Sequence, residues 1–576
     1  MTAFDPTLAG EPRRFSLNIG RYLWWMDRAF EKARAEGKAE DDTRLRIFFV
    51  MALFAAGFLT LSLVASKAAL WSGLGGPGVA GALTPNARAD LVDRNGEVLA
   101  MDLVHYGLYL DPREVFDKAA TRAAILAAAP GVSAARLDKA MEGDKPLYYI
   151  VGGLTPEART AIHDLALPGL TFQEESARAY PLGSTGAHVI GFAGKDGVGL
   201  AGAERAFDAA IRADAGKGVA APLSIDLRVQ GALQDELEKS ADHFGVLDAV
   251  GMVVNVRTGE ILGLASYPSF DPNRPGKAPP AALIDHAAAT VYEPGSVFKV
   301  FTLAMGLDSG KVGVRTVFDV CSPLILPGQI IHDYDKGDCS LPLWEVFTHS
   351  SNIGAAKMAM RVGGEDESRY FHAFGLFDKA PSELIESARP LTPKRISENA
   401  TATMAFGHSI SVSPLAIATG MSAILDGGIY RPLTLVKLPA GQAPAAGRRV
   451  IAEATSRTML NLMRLNATNG TGRSADKGAP GYMVGGKTGT ATKLVHGRYS
   501  AGKLNLASFA AIVPTDGPFT EDRYYVLVMM DEPTVMPETG GFTTGGAVSA
   551  PIAGRIIARI APLLHARRTP ASADEP

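Results

Sequence analysis

A serine and a lysine three positions apart can form a nucleophile and its base, and one such pair lies in surroundings that disfavour a charged amine. It is Ser296 and Lys299, within EPGSVFKVFTLAMG (residues 293–306). Pro294-Gly295 breaks the chain and the run after it is apolar on every side, so a buried helix is expected, its first turn starting at Ser296. Lys299 is the only charge from Val297 to Gly306. Residues three apart on a helix share a face, which sets the amine against the hydroxyl. Burial lowers a lysine's pKa toward the range where the neutral amine accepts a proton, and a serine needs such a base to attack. Ser474-Ala475-Asp476-Lys477 has the same spacing in a polar, Gly-rich segment without a helical apolar pattern. Context selects Ser296.

Two further groups would complete such a site. Ser350-Ser351-Asn352 offers Ser350 as a proton relay and Asn352 as an amide holder, between the apolar pattern Trp344 to Phe347 and the helical run Ile353 to Met360. Ser397-Glu398-Asn399 and Ser16-Leu17-Asn18 share the Ser-x-Asn pattern; the second falls in the expected cytoplasmic tail, and the first stands as a rival. Lys487, Thr488, Gly489 and Thr490 lie on a candidate strand, Tyr482 to Ala491, where glycines admit close approach and a cation with two hydroxyls suits a carboxylate.

These groups need a framework. Late strands at Tyr482 to Ala491, Leu506 to Val513 and Arg523 to Asp531 complement early ones at Ala249 to Val256 and Ile261 to Tyr267. Strands at both ends, with helical sequence between and no regular βαβ alternation, indicate an α+β domain with a central antiparallel sheet, expected over residues 223–565. Before it, Arg88 to Leu110 alternates around Asn95-Gly96 and reads as a hairpin. Mixed helical and loop segments then run to about residue 222, with no cluster of nucleophile, base or metal ligands, so residues 67–222 are assigned a structural role. Residues 566–576 are expected to be disordered.

The chain has 576 residues and a formal net charge of -3, which argues against a nucleic-acid binder relying on clustered cations. Residues 47–66 run twenty positions without a charge, enough to cross a bilayer as a helix. Residues 1–46 hold nine Lys/Arg and residues 67–87 only Lys67, so the N-terminus is expected in the cytoplasm and the remainder outside it. In an oxidising compartment Cys321 and Cys339 could pair, closing a loop at a gain of roughly 3 kcal/mol; two buried thiols are the alternative. Neither a cofactor nor a metal site is expected.

Taken in order, the three elements resemble those of penicillin-binding proteins. So do Arg88 to Ala100 (RADLVDRNGEVLA), Arg178-Ala179-Tyr180-Pro181, His188 to Gly191, YEPGSVFK (292–299), GHSISVSPL (407–415) and MDEP (530–533). The chain is thus similar to class B penicillin-binding proteins, most of all to their division-specific FtsI type; Asp285-His286 departs from the Asn-Arg usual there. The resemblance implies a peptidoglycan D,D-transpeptidase, with Ser296 as nucleophile, Lys299 as base and an oxyanion hole from the N–H groups of Ser296 and Thr490. Ser350 and Asn352 would relay protons and hold the acyl-chain amide, and Lys487, Thr488 and Thr490 the terminal carboxylate. It further implies a single-pass inner-membrane protein whose periplasmic pedestal carries the catalytic domain, with β-lactams as inhibitors and a SEDS-family glycosyltransferase and other division proteins as partners.

Other readings are an elongation-type transpeptidase, a β-lactam sensor, which would need several spans and a cytoplasmic effector domain, and an ATPase. The last arises because Gly481 to Thr488 fits the phosphate-loop pattern and YVLVMMDEPT (525–534) resembles an ATPase acidic strand. Yet the residues after Thr488 lack the helical pattern such a loop requires.

Overall fold

The computed structural model describes residues 87–569, short internal gaps such as 335–337 and 501–503 aside, together with parts of residues 28–62. Residues 1–80 and 81–576 form two compact units. In the first, residues 50–62 are helical and exposed. Among the described residues no helix is long and apolar enough to cross a membrane; residues 48, 49 and 63–66 of the expected span lie outside them, as does most of the expected tail.

The second unit begins with a five-stranded sheet built on the long strand Val98–Leu110. Leu91–Val92 pairs with it across Asn95-Gly96, as expected from the hairpin signal, and Gly96 takes the positive φ of 93° that this turn needs. Two more partners, Tyr148–Leu154 and Leu170–Ala179, were not legible as strands. The first is interrupted by Gly152-Gly153, and the second (LTFQEESARA) has no fully buried residue, so neither carries a strong apolar alternation. Three short helices close a separate core around Leu108, Leu110, Ile125, Leu137, Ile150 and Ile162. The Arg88 and Arg178 motifs meet on one buried carboxylate: Arg88 Nε and Arg178 Nε donate to Glu204 at 2.8 and 2.7 Å, and Arg178 Nη1 to Asp102 at 3.0 Å.

Downstream, five strands run wholly antiparallel in the order Gly485–Thr492, Asn505–Val513, Tyr524–Asp531, Asp248–Asn255, Ile261–Tyr267. The near-continuous apolar sequences of Asn505–Val513, Tyr524–Asp531 and Asp248–Asn255 reflect burial on both faces. One face carries the helices Leu227–Phe244 and Ser549–Ile560, which pack Leu233, Leu237 and Ile556 against Val253 and Val528. The other carries a helical lobe with Lys299–Asp308 at its centre, joining Phe301 and Leu303 to Val250, Met252 and Leu527.

The expectation of disorder at 566–576 is corrected in part. Arg568 bridges to Tyr482, Thr569 N–H donates to Gly481 O at 3.0 Å, and Arg567 pairs with Asp516, so residues 566–569 extend the edge of the fold; 570–576 lie outside the described residues.

Candidate active site

Ser296 stands on a tight 3₁₀ turn, Gly295–Phe298, that runs into the helix Lys299–Asp308. The helix proper thus starts three residues later than expected. The 3₁₀ pitch eclipses residues i and i+3, which brings Ser296 and Lys299 closer in line than an α-turn would. The turn depends on two glycines. Gly295 has φ +57°, and a Cβ on Gly407 (φ +80°) would lie 2.3 Å from Gly295 O. Gly489 lets the neighbouring strand in: a Cβ there would meet Pro294 O at 2.9 Å.

Lys299 is 0% exposed and gathers the motif. Its Nζ lies 2.8 Å from Ser296 Oγ, 2.7 Å from Asn352 Oδ1 and 3.1 Å from Ser350 Oγ, and it also donates to the Ser350 carbonyl. Ser350 sits between two helices, Leu343–Thr348 and Asn352–Val362, in a left-handed conformation (φ 59°) that turns its hydroxyl inward. That hydroxyl also accepts from Lys487 Nζ at 2.9 Å. Lys487, likewise 0% exposed, lies on the edge strand Gly485–Thr492. Two lysines thus flank one serine hydroxyl. Burial, and then the like charge of Lys487, hold Lys299 well below the usual lysine range; burial alone brings Lys487 down to about 7.

Thr488 Oγ1 lies 2.7 Å from Thr471 Oγ1, and Thr490 Oγ1 accepts from Gly545 N–H at 3.1 Å. The structure therefore brings together Ser296, Lys299, Ser350, Asn352 and Lys487, with Thr488, Gly489 and Thr490 on the adjoining strand. The rivals lie apart from this network: Ser397 caps the helix Glu398–Met404, Asn399 donates to Pro327 O, and Ser474 donates to Gly546 O. Gly485–Thr492 is a strand paired to a strand rather than a loop leading into a helix, which removes the phosphate-loop geometry. Cys321 and Cys339 approach to 2.12 Å between sulfurs.

Asp333, between those cysteines, escaped sequence reading. Its carboxylate accepts from Ser351 Oγ at 2.6 Å, Asn352 N at 2.5 Å and Ile353 N at 3.0 Å, so it anchors the start of the helix that carries Asn352. Asn466 holds the lysine strand from behind, donating to Gly486 O at 2.7 Å. A single polar residue, whether in a loop like Asp333 or within the helix Glu453–Asn469 like Asn466, adds no periodic signal, and only the Cys-flanked setting of Asp333 hinted at constraint. Replacing Asp333 with Ala should cost about 1–3 kcal/mol of stability and lower the serine's acylation rate some 10- to 100-fold, while Asp333→Asn, which keeps an acceptor, should recover most of both. Thermal melts and stopped-flow acylation would check this.

The chain matches the family described as "Penicillin binding protein transpeptidase domain" over residues 249–558 and that described as "Penicillin-binding Protein dimerisation domain" over 83–221. It is 51% identical over 550 residues to the probable peptidoglycan D,D-transpeptidase FtsI of Caulobacter vibrioides, covering 95% of this chain and 93% of that one. Over 502 residues it is 29% identical to the peptidoglycan D,D-transpeptidase FtsI of Escherichia coli, with 82% of each covered. The probable D,D-transpeptidase PenA of Neisseria meningitidis is 31% identical over 500 residues, 80% of this chain and 82% of its own. With the antiparallel sheet, the buried lysine pair and the serine turn in place, the chain belongs to the class B penicillin-binding proteins, in their FtsI type.

Proposed function

We propose that this chain cross-links peptidoglycan stem peptides through a Ser296 acyl-enzyme, as the D,D-transpeptidase of septal wall synthesis. The carrying observation is the fully buried Lys299 amine 2.8 Å from Ser296 Oγ and bridged by Ser350 to Lys487. Burial that lowers the pKa of this amine favours its neutral form, to which Ser296 donates its hydroxyl proton as Oγ attacks the carbonyl between the two terminal D-alanines. The N–H groups of Ser296 and Thr490 receive the developing oxyanion. Ser350, in contact with both lysines, passes the proton to the departing D-alanine, and an amine of a second stem takes the acyl group. Lys487, Thr488 and Thr490 hold the terminal carboxylate. Asn352 orients Lys299 through Oδ1; its Nδ2, which donates to His332 O at 3.1 Å, must turn from that carbonyl to meet a substrate amide. β-Lactams acylate Ser296 and stall.

Residues 47–66 anchor the chain in the inner membrane with the basic tail in the cytoplasm, and residues 67–222 form a periplasmic pedestal beneath the catalytic domain of 223–565. Cys321 and Cys339 form a disulfide there. The glycan strands come from a SEDS-family glycosyltransferase working with other division proteins. What supports the membrane orientation is the asymmetry of nine Lys/Arg before the apolar run against Lys67 after it. Depleting the protein should give undivided filaments whose septal muropeptides, by mass spectrometry, lose cross-links. Round cells would overturn the septal assignment in favour of elongation.

A further inference from the structure

Beneath the serine turn, two buried acids face each other. Asp248 opens one central strand and Asp531 ends its neighbour, and the antiparallel register sets them directly opposite, at 8% and 2% exposure. Two carboxylates in that position repel strongly when both are ionised. Burial raises both acids, and the proximity of Asp248 helps bring Asp531 to about 6.

The groups around the pair define its connections. Tyr292 OH, four residues before Ser296, donates to Asp248 Oδ1 at 2.7 Å. Backbone bonds at 3.0 Å in both directions tie Tyr292 to Val412. On the far side Lys493, which follows the strand of Lys487, donates to Asp531 Oδ2 and to Glu532 Oε1, each at 2.7 Å; burial opposes its charge, but the two carboxylates keep it protonated. His286 Nδ1 lies 3.9 Å from Asp248 Oδ2 and 3.4 Å from Tyr292 OH, and burial lowers the pKa of this imidazole. Among the described residues Lys493 is the one lysine or arginine paired with these acids, against Asp248, Asp531 and Glu532. Asp531 Oδ1 is buried and meets no donor among the described residues.

We propose that Asp248 and Asp531 are positioning residues for acyl transfer that share one proton, the pair fixing the serine turn through Tyr292 and the strand of Lys487 through Lys493. With the proton in place, the sheet end is closed and both active-site elements are held in register. Without it, the two charges push their strands apart and loosen the turn and the strand together. This rests on the transpeptidase reading and adds to it a proton outside the catalytic lysines.

The sign follows from linkage. A carboxyl raised on folding binds more protons folded than unfolded, so its stabilisation is complete at acid pH and is lost as pH climbs through about 6. The test uses full-length protein in membranes. Acylation by fluorescent penicillin is timed from about pH 5 to about pH 8 in wild type and in Asp531→Asn, which mimics a permanently protonated partner. Taking the ratio of variant to wild type cancels the titration of Lys299. The ratio should rise about threefold to tenfold across that range, and the melting temperature of the variant should gain on wild type over the same interval. Asp248→Ala should lose at least about tenfold at every pH, and Asp248→Asn should restore most of it. A ratio that stays flat with pH, or Asn no better than Ala at position 248, overturns the proposal. Retained labelling in Ser296→Ala would instead sink the transpeptidase reading, so the two failures are distinguishable.

Discussion

Replacing Ser296 with alanine is expected to abolish covalent labelling by fluorescent penicillin while leaving the fold intact. Ser296 is only half-buried, its side chain reaches solvent from a turn whose geometry rests on Gly295 and Gly407, and alanine accepts the turn's backbone. Nothing else near Lys299 can take the acyl group as readily: Ser350 Oγ lies between two amines, and its backbone already occupies the left-handed region. The fall should be about 10⁴-fold or more, to the level of unreacted background, since the step loses its nucleophile outright. Gel fluorescence at equal protein loading reads this directly. Labelling equal to wild type would show that the acyl group is carried elsewhere.

The second large effect concerns the base. Lys299→Met keeps the buried stem but removes the amine, and should slow acylation about 10³-fold at neutral pH. The companion experiment is a pH profile. Lys299 must be neutral to act, so acylation should rise with pH as its proton leaves and fall on the acid side. Burial contributes most to that neutrality, and the charge of Lys487 adds to it. Because Lys487 itself titrates near 7, its repulsion strengthens as pH falls, which protects the neutral form of Lys299 where it is most threatened. Lys487→Met should therefore shift the acid limb upward by on the order of one pH unit, beyond any loss of plateau rate from weaker carboxylate binding. An acid limb that stays in place would remove Lys487 from the control of the base and leave burial alone.

Sequence by itself determined the parts that local pattern encodes. Near-continuous apolar runs marked four of the five strands of the catalytic sheet to within a few residues, Asn95-Gly96 marked the hairpin of the preceding sheet, and the apolar setting of Lys299 separated Ser296 from the chance match at Ser474. The weak strands Tyr148–Leu154 and Leu170–Ala179 escaped because a half-exposed, Gly-interrupted or acidic strand has little apolar periodicity to read.

Tertiary structure alone decided how distant residues meet. Asp333 reaches the start of the Asn352 helix across a loop, Ser350 is shared by lysines from two different elements, and Asp248 meets Asp531 because one register setting places them opposite each other. Those residues lie far apart along the chain, and their chemistry follows from burial and charge at short range. Residue type announces that a lysine or an aspartate is present, but its protonation depends on which neighbours folding brings within a few ångströms and on how much water it excludes.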